Sequence, residues 1–427
     1  MSDIATIPTA GRSYQVVAGD RLDKIETVAY GSIRGILENA NPQLNGRPIS
    51  LENRPTIYPG DVLYLPPLAE REALKTEQVK RRLERTKDPE ETTIVIDGLE
   101  IPYDSCRIMR TMDTAADGWT ARIGYTAGRD RELDRRLLPY SYPQAQVYIG
   151  GELLINGVLY GVKPEVTDTG KVLDLEGFSY TKDMVDSTIN PPYEFSNVSL
   201  LDLANKLAQA HGIKAEIDFD PGGPFDRVTA DPTDSPFTFL ARLVTQRGGL
   251  FSSTPTGNAL FTRTKEGAPV GTIEEGESFP IGWGAKFDGT LLFNKIRAIG
   301  ESPGSPTNEA VAVDNNVPRS RFTTFVADET MAGDLQTAAN WRRTKQFADA
   351  LTIPFPVSGF YAPNGELWTE NTNVIVVSPT IFVPKGFPFL IRAVEYVSEA
   401  SGKSTTLSLV PPQVFTGETI VLPWEAV

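Results

Sequence analysis

Histidine and cysteine are almost missing from this 427-residue chain, which has one of each, His211 and Cys106. A lone cysteine excludes an internal disulfide framework and fits assembly in a reducing cytoplasm. One His and one Cys cannot build a zinc cluster. His211 precedes Gly212 at a predicted helix end, where capping or pairing with the helix dipole is its ordinary role. A Ser-His-Asp triad would have to use this one imidazole, and no serine is framed as a nucleophile elbow. Long apolar runs are also lacking: no stretch approaches the ~18 residues that cross a bilayer. Residues 1–12 have neither a basic start nor an apolar run, so no secretory signal is expected there.

Positive charge is in deficit, and the deficit is localised. The formal net charge is −14. Residues 1–67 carry 6 basic and 7 acidic side chains and residues 68–91 carry 7 of each, leaving 28 basic against 41 acidic in the other 336. A body at −13 is a poor nucleic-acid binder, because neutralising phosphates needs clustered Lys and Arg. It suits the wall of a channel through which DNA slides without sticking. Sequence-specific nucleic-acid recognition and a membrane span are therefore not expected.

Motifs for chemistry are sparse. Gly402-Lys403-Ser404 resembles the end of a phosphate-binding loop, but Val397 holds the leading glycine position and the segment joins two predicted strands. Ser179, followed by Lys182, matches S-x-x-K without its companion motifs. The 55 acidic residues make carboxylate spacing uninformative for glycoside cleavage. No catalytic residue, metal ligand or cofactor is expected.

The order of elements is legible. Residues 13–67 read strand (14–17), Gly19-Asp20 turn, helix (22–30) stopped by Gly31, helix (33–40) stopped by Asn41-Pro42, a long loop, and a closing strand Val62–Leu65. Residues 68–91 form a charged helix and linker with a thin apolar stripe of Ala69, Ala73, Val79 and Leu83. From Thr92 strands dominate. Thr92–Ile96 and Leu99–Ile101 flank Asp97-Gly98, and strands 146–149, 152–155 and 158–162 are linked by Gly150-Gly151 and Asn156-Gly157. Such dipeptides supply the positive φ that tight hairpins need. Two capped helices follow, 200–210 after Ser199 and 237–247 after Ser235-Pro236, with strands Leu250–Ser253 and 259–263 behind them. Their apolar faces (Leu200, Leu203, Leu207; Phe237, Leu240, Leu243, Val244) read as core. The last third predicts a helix over 328–351, strands at 372–383 and 389–397, and a final hairpin of 390–397 with 405–410 across 398–403. Trp283, Trp341 and Trp368 read first as core fillers. The fold class is α+β, mainly β.

Two resemblances rest on these segments. The run Y-Q-V-V-A-G-D-R-L-D-K-I, then N-A-N-P, then I-Y-P-G-D-V-L-Y-L-P resembles a LysM module. That family is βααβ and holds N-acetylglucosamine polymers in a shallow groove. The resemblance assigns the groove to Gly19, Asp20, Arg21 and Leu22 on one side and Ile57, Tyr58, Pro59 and Gly60 on the other. Arg21 stands where Thr or Ser is usual, and the loop 43–56 is longer than typical. That loop and L-E-N-A-N-P-Q-L are similar to the LysM-like tail protein X of contractile-tailed phages, which implies structural docking in place of glycan binding.

Residues 92–415 resemble a Mu-type phage baseplate hub. The carrying segments are T-T-I-V-I-D-G-L-E-I, Q-V-Y-I-G-G-E-L-L-I-N-G-V-L-Y-G-V-K-P, L-D-L-E-G-F-S-Y-T-K-D-M-V-D-S-T-I, S-P-F-T-F-L-A-R-L-V-T-Q-R-G-G-L-F, G-F-Y-A-P-N-G-E-L-W-T-E-N-T-N-V-I-V-V-S-P, and L-I-R-A-V-E-Y-V with T-T-L-S-L-V-P-P-Q-V-F. The resemblance implies two β-barrel tube-like domains, 92–195 and 288–415, the second with the 328–351 helix. An α/β segment, 196–287, is inserted between them, and 416–427 form a C-terminal tail. It implies a homotrimer in the virion baseplate, assembled in the bacterial cytoplasm. The ring would adapt the sixfold tail tube to the threefold central spike and enclose the DNA path. Wedge proteins would meet the LysM-like module, with tape-measure contact a further implication. The alternatives are a LysM-anchored peptidoglycan-binding protein or cell-wall hydrolase, and the equivalent hub of a bacterial contractile injection system, whose geometry makes the same demands.

Overall fold

Residues 12–16, 21, 25, 37, 41–44, 47–48, 55–59, 61–65, 88–126, 128, 130–167, 170–265, 267–276, 284–300, 308–327 and 335–424 are described by the computed structural model. The chain divides into two compact units, Met1–Glu91 with Gly150–Glu152, and Thr92–Ile149 with Leu153–Val427.

In the first unit β1 (Arg12–Gln15) pairs antiparallel with β2 (Val62–Leu65), Arg12 opposite Leu65 and Gln15 opposite Val62. Val16, Ile25, Leu37, Leu44 and Leu63 are buried. The two expected helices lie largely outside the described residues; Ile25 and Leu37 are the described positions within them, and both are helical and buried. The expected linker helix lies outside the described residues up to Asp88.

The second unit opens with β3 (Thr92–Ile96), β4 (Leu99–Ile101), β5 (Ser105–Thr111), β6 (Gly118–Gly124), a short helix α1 (Arg131–Arg136), β7 (Gln144–Ile149), β8 (Glu152–Thr167) and β9 (Gly170–Ser179). Burial alternates along β5 and β6, as a half-covered sheet requires. One expectation fails here. Asn156-Gly157 is no hairpin turn; residues 152–155 and 158–162 belong to the single strand β8. Gly157 is there for proximity: a Cβ would stand 1.8 Å from the Phe178 carbonyl oxygen on β9. Asn156 accepts from Gln144 Nε2 at 3.0 Å and donates to the Thr256 carbonyl at 3.0 Å.

Next come α2 (Lys182–Asp186), β10 (Glu194–Val198), α3 (Leu200–Gln209), β11 (Ala215–Ile217), β12 (Phe225–Thr229), α4 (Pro236–Gln246), β13 (Leu250–Ser253) and β14 (Ala259–Thr262). Ser199 accepts from Asp202 N and Ser235 from Thr238 N, so both expected caps form. Leu203, Phe239, Leu240, Leu243 and Phe261 centre a separate core that reaches back to Met184, ahead of the expected boundary at 196. Phe237 is only partly buried, beside that core.

The remainder is β15 (Thr272–Glu274), β16 (Lys286–Phe287), β17 (Lys295–Gly300), β18 (Asn308–Val313), β19 (Phe322–Ala327), α5 (Leu335–Ala350), β20 (Leu351–Ser358), β21 (Asn373–Ser378), β22 (Val383–Glu399) and β23 (Gly402–Val410). The strand expected at 372–383 breaks at Ser378, because Pro379 opens a 3₁₀ turn and Phe382 takes a left-handed conformation with φ 65°. The final hairpin is tighter than expected: pairing continues to Glu399 opposite Gly402, leaving a two-residue turn.

These strands build a 13-stranded sheet ordered β16-β20-β23-β22-β5-β6-β9-β8-β7-β3-β4, with β21 on β22 and β15 on β21. The sheets expected as separate domains are thus hydrogen-bonded to each other through β5 and β22, from Ser105 opposite Glu399 to Thr111 opposite Ala393. A single core running from Ile94 to Leu409 lies under both. A three-stranded sheet, β18-β17-β19, stands apart under α5, with Ala298, Ala312, Ala327 and Ala339 at the contact. Small residues there let helix and sheet approach closely.

Candidate functional site

Of the eight groove positions, Gly19, Asp20, Leu22 and Gly60 lie outside the described residues. Arg21 and Pro59 are exposed, Ile57 is half-buried, and Tyr58 is 50% exposed. What shapes this face is a pair that spacing could not reveal. Arg47, from the long loop, donates through Nη2 to Asp61 Oδ1 at 3.1 Å and through Nη1 to Asp61 Oδ2. The same carboxylate accepts from Tyr58 N at 2.8 Å, and Asp61 N returns a bond to the Tyr58 carbonyl at 3.0 Å. The Arg47 guanidinium lies 5.6 Å from the Tyr58 ring centroid. Its hydrogen bond holds the Asp61 carboxyl below the usual carboxylate range. Arg47 is therefore tied to the closing turn, and the Tyr58 ring is presented on a braced support.

A second constellation sits in the body. Arg110 is buried on β5 and contacts Asp117 at 3.4 Å and Glu370 at 2.7 Å. Asp117, just before β6, also accepts from Thr111 N at 3.1 Å and from Ser253 Oγ on β13 at 2.7 Å. Ser252 donates to the Thr111 carbonyl at 3.0 Å. Burial pushes the Asp117 carboxyl up to about 6 against the pull of Arg110. Burial also works against the Arg110 charge, but Glu370 and Asp117 outweigh it and raise its pKa. The cluster clamps the helical insert to the large sheet.

The weaker motifs dissolve into structure. Ser179 Oγ lies 2.6 Å from Thr181 Oγ1 while Lys182 pairs with Asp186, so the S-x-x-K match holds no nucleophile and base in contact. Gly402-Lys403-Ser404 opens the last hairpin strand. His211 lies in the turn after α3, its N–H bonded to the Ala208 carbonyl. Burial raises the Cys106 thiol to about 12, which leaves it unreactive. Trp341 and Trp368 are buried, and Trp283 lies outside the described residues. Among the described residues no group of His, Cys, Asp or Glu is placed to hold a metal ion, and no helix is long and apolar enough to cross a membrane.

Two segments match family models. Residues 181–263 match the second domain of baseplate hub proteins of the gp44-like type. Residues 331–418 match the fourth domain of the Mu phage baseplate assembly protein GpP. The baseplate hub protein gp44 of Escherichia phage Mu is 22% identical over 284 residues, covering 62% of this chain and 74% of that protein. Among solved structures, the 43 kDa tail protein of prophage MuSo2 from Shewanella oneidensis superposes with TM-score 0.66 at 24% identity, over 76% of this chain and 99% of that one. A tail protein from Neisseria meningitidis MC58 gives TM-score 0.66 at 18% identity, over 76% and 98%.

Proposed function

We infer that this chain is a Mu-type baseplate hub protein of a phage tail, a structural part of the virion. The observation that carries this is the order of the two family matches on one fold. The gp44-like second domain falls on the insert from α2 to β14, and the GpP fourth domain falls on α5 with β20 to β23.

The finer reading is geometric. Three copies close into a ring, each contributing two barrel-like lobes, β3–β9 and β20–β23, so that six similar lobes face the tail tube and a threefold face meets the central spike. Two features support closure: the 13-stranded sheet ends in β4, β16 and the branch strand β15, whose outer edges have no strand partner among the described residues, and open edges invite pairing. Leu138 and Tyr140, the latter 85% exposed, put apolar surface beside the sheet. The acidic body lines the DNA path and repels phosphate. The LysM-like module docks neighbouring baseplate or wedge proteins, and the hub catalyses nothing.

Light scattering of the purified full chain tests the ring, with an expected mass three times the 46.7 kDa of one chain. A monodisperse monomer over the micromolar range overturns the trimer. The exposed Tyr58 ring keeps glycan binding as a second reading, since sugars stack on such faces. Retention of the full chain on purified sacculi, lost in Tyr58→Ala, would favour it over docking.

A further inference from the structure

A cavity of about 620 Å³ lies between α4, α5 and the β17–β19 sheet. Phe293, Ile296, Phe325 and Trp341 give it apolar walls, while Arg242, Arg342 and Lys345 set three cations against one carboxylate, Asp349. That carboxylate is already engaged by Arg392 at 3.2 Å, and Arg242 by Asp234 at 3.3 Å. Arg342 and Lys345 rest on rings instead, 4.9 Å from the Phe325 centroid and 4.8 Å from that of Trp341, and neither forms a salt bridge among the described residues. Trp341 Nε1 is buried with no acceptor among the described residues. Burial also holds the Lys345 ammonium below its ordinary pKa, the condition that a neighbouring anion relieves.

The cavity runs along an open strand. β19 is bonded to β17 on one side and, among the described residues, to nothing on the other. Phe325 and Val326 of that strand line the cavity. Phe322 and Val326, 67% and 60% exposed, share the face of the strand opposite Phe325 and leave it apolar and uncovered beside the open edge.

We propose that this cavity and the free edge of β19 form a docking site for an extended acidic, apolar peptide segment of a partner protein. The segment adds a strand to β19, seats an apolar side chain against Trp341, and places a carboxylate between Arg342 and Lys345. Charge complementarity selects the occupant: Asp113 and Asp349 also act on Lys345 but are both held by Arg392, and a basic segment would meet Arg342 and Lys345, which have no salt-bridge partner among the described residues. The site goes beyond the hub reading and stands without it.

Fluorescence anisotropy with the full chain tests it, using a labelled Glu-Phe-Glu-Val-Glu-Phe peptide and its Lys-for-Glu counterpart at matched ionic strength. The acidic peptide is expected to bind about tenfold tighter or more, which is ~1.4 kcal/mol. Because the chain carries −14, non-specific attraction would favour the basic peptide. The double variant Arg342→Glu, Lys345→Glu should reverse the preference. If that variant does not fold, Arg342→Glu alone, at an exposed position, carries the test. Methylating alternate peptide nitrogens should abolish binding in one phase and spare it in the other. Equal affinity for both peptides, no binding of either, indifference to charge reversal, or equal tolerance of both methylation phases overturns the proposal.

Discussion

Asp117 lies where β5, β13 and the loop before β21 converge, and its carboxylate holds Arg110, Thr111 and Ser253 together. Removing it leaves the buried Arg110 with Glu370 as its remaining ion-pair partner and takes the acceptor from Thr111 N and Ser253 Oγ. Asp117→Ala is therefore expected to cost ~1–3 kcal/mol of unfolding free energy in urea titrations. The pH dependence has a definite sign. A carboxyl with a folded-state pKa of about 6 binds its proton more tightly folded than unfolded, where ~3.9 is usual. Its contribution is complete below the unfolded value and is lost as pH rises through about 6. Between pH 7 and 5 the native chain should gain stability relative to Asp117→Asn, which cannot take up that proton; parallel stability curves would contradict this. The cluster was illegible in sequence because its members, Arg110, Asp117, Ser253 and Glu370, come from distant segments. Arg47 and Asp61 were hidden likewise, although an arginine in an unusually long loop was a usable signal.

Helices and caps were the most legible elements, since local chemistry decides them. Ser199 and Ser235 cap the helices whose starts they mark, and either Ser→Ala change is expected to cost ~1 kcal/mol, read as faster amide exchange in that helix's first turn. Strands were less legible. Asn156-Gly157 carries a turn signal, yet lies inside β8 because the neighbouring β9 backbone leaves no room for a side chain. Gly157→Ala should cost ~1–3 kcal/mol or more in thermal unfolding, since the added carbon meets backbone that has no rotamer to give. A near-neutral effect would mean that β8 and β9 separate easily. β17, β18 and β19 escaped notice although Pro303-Gly304 marks the link between the first two; β19 pairs parallel with β17, a partner that no local pattern names.

At the scale of the molecule, charge makes an expectation that fold alone does not. With −13 over residues 92–427, the purified chain should leave duplex DNA unretarded on native gels even at low salt. Retardation would imply a basic lumen and defeat the repelling-wall reading. The way the halves combine was not legible from motifs. Strands β3 to β9 and β20 to β23 share one sheet and one core, and the helical insert is clamped back by Ser252 and Ser253. Pairing of β5 with β22 joins residues nearly 300 positions apart in the chain, beyond the reach of any local pattern.

By itself the sequence determined the local chemistry. It supplied caps, turn dipeptides, the acidic body, and the want of histidine and cysteine that leaves no room for metal or thiol catalysis built on clusters of them. These follow from neighbouring residues and composition, which act over a few positions. Only the tertiary structure decided that Arg110 would be buried on an ion cluster, that Gly157 would run through a strand, and that β19, with one strand partner among the described residues, would lie beside three cations. Burial and pairing depend on which distant segments meet, and that is settled by the packing of the whole sheet.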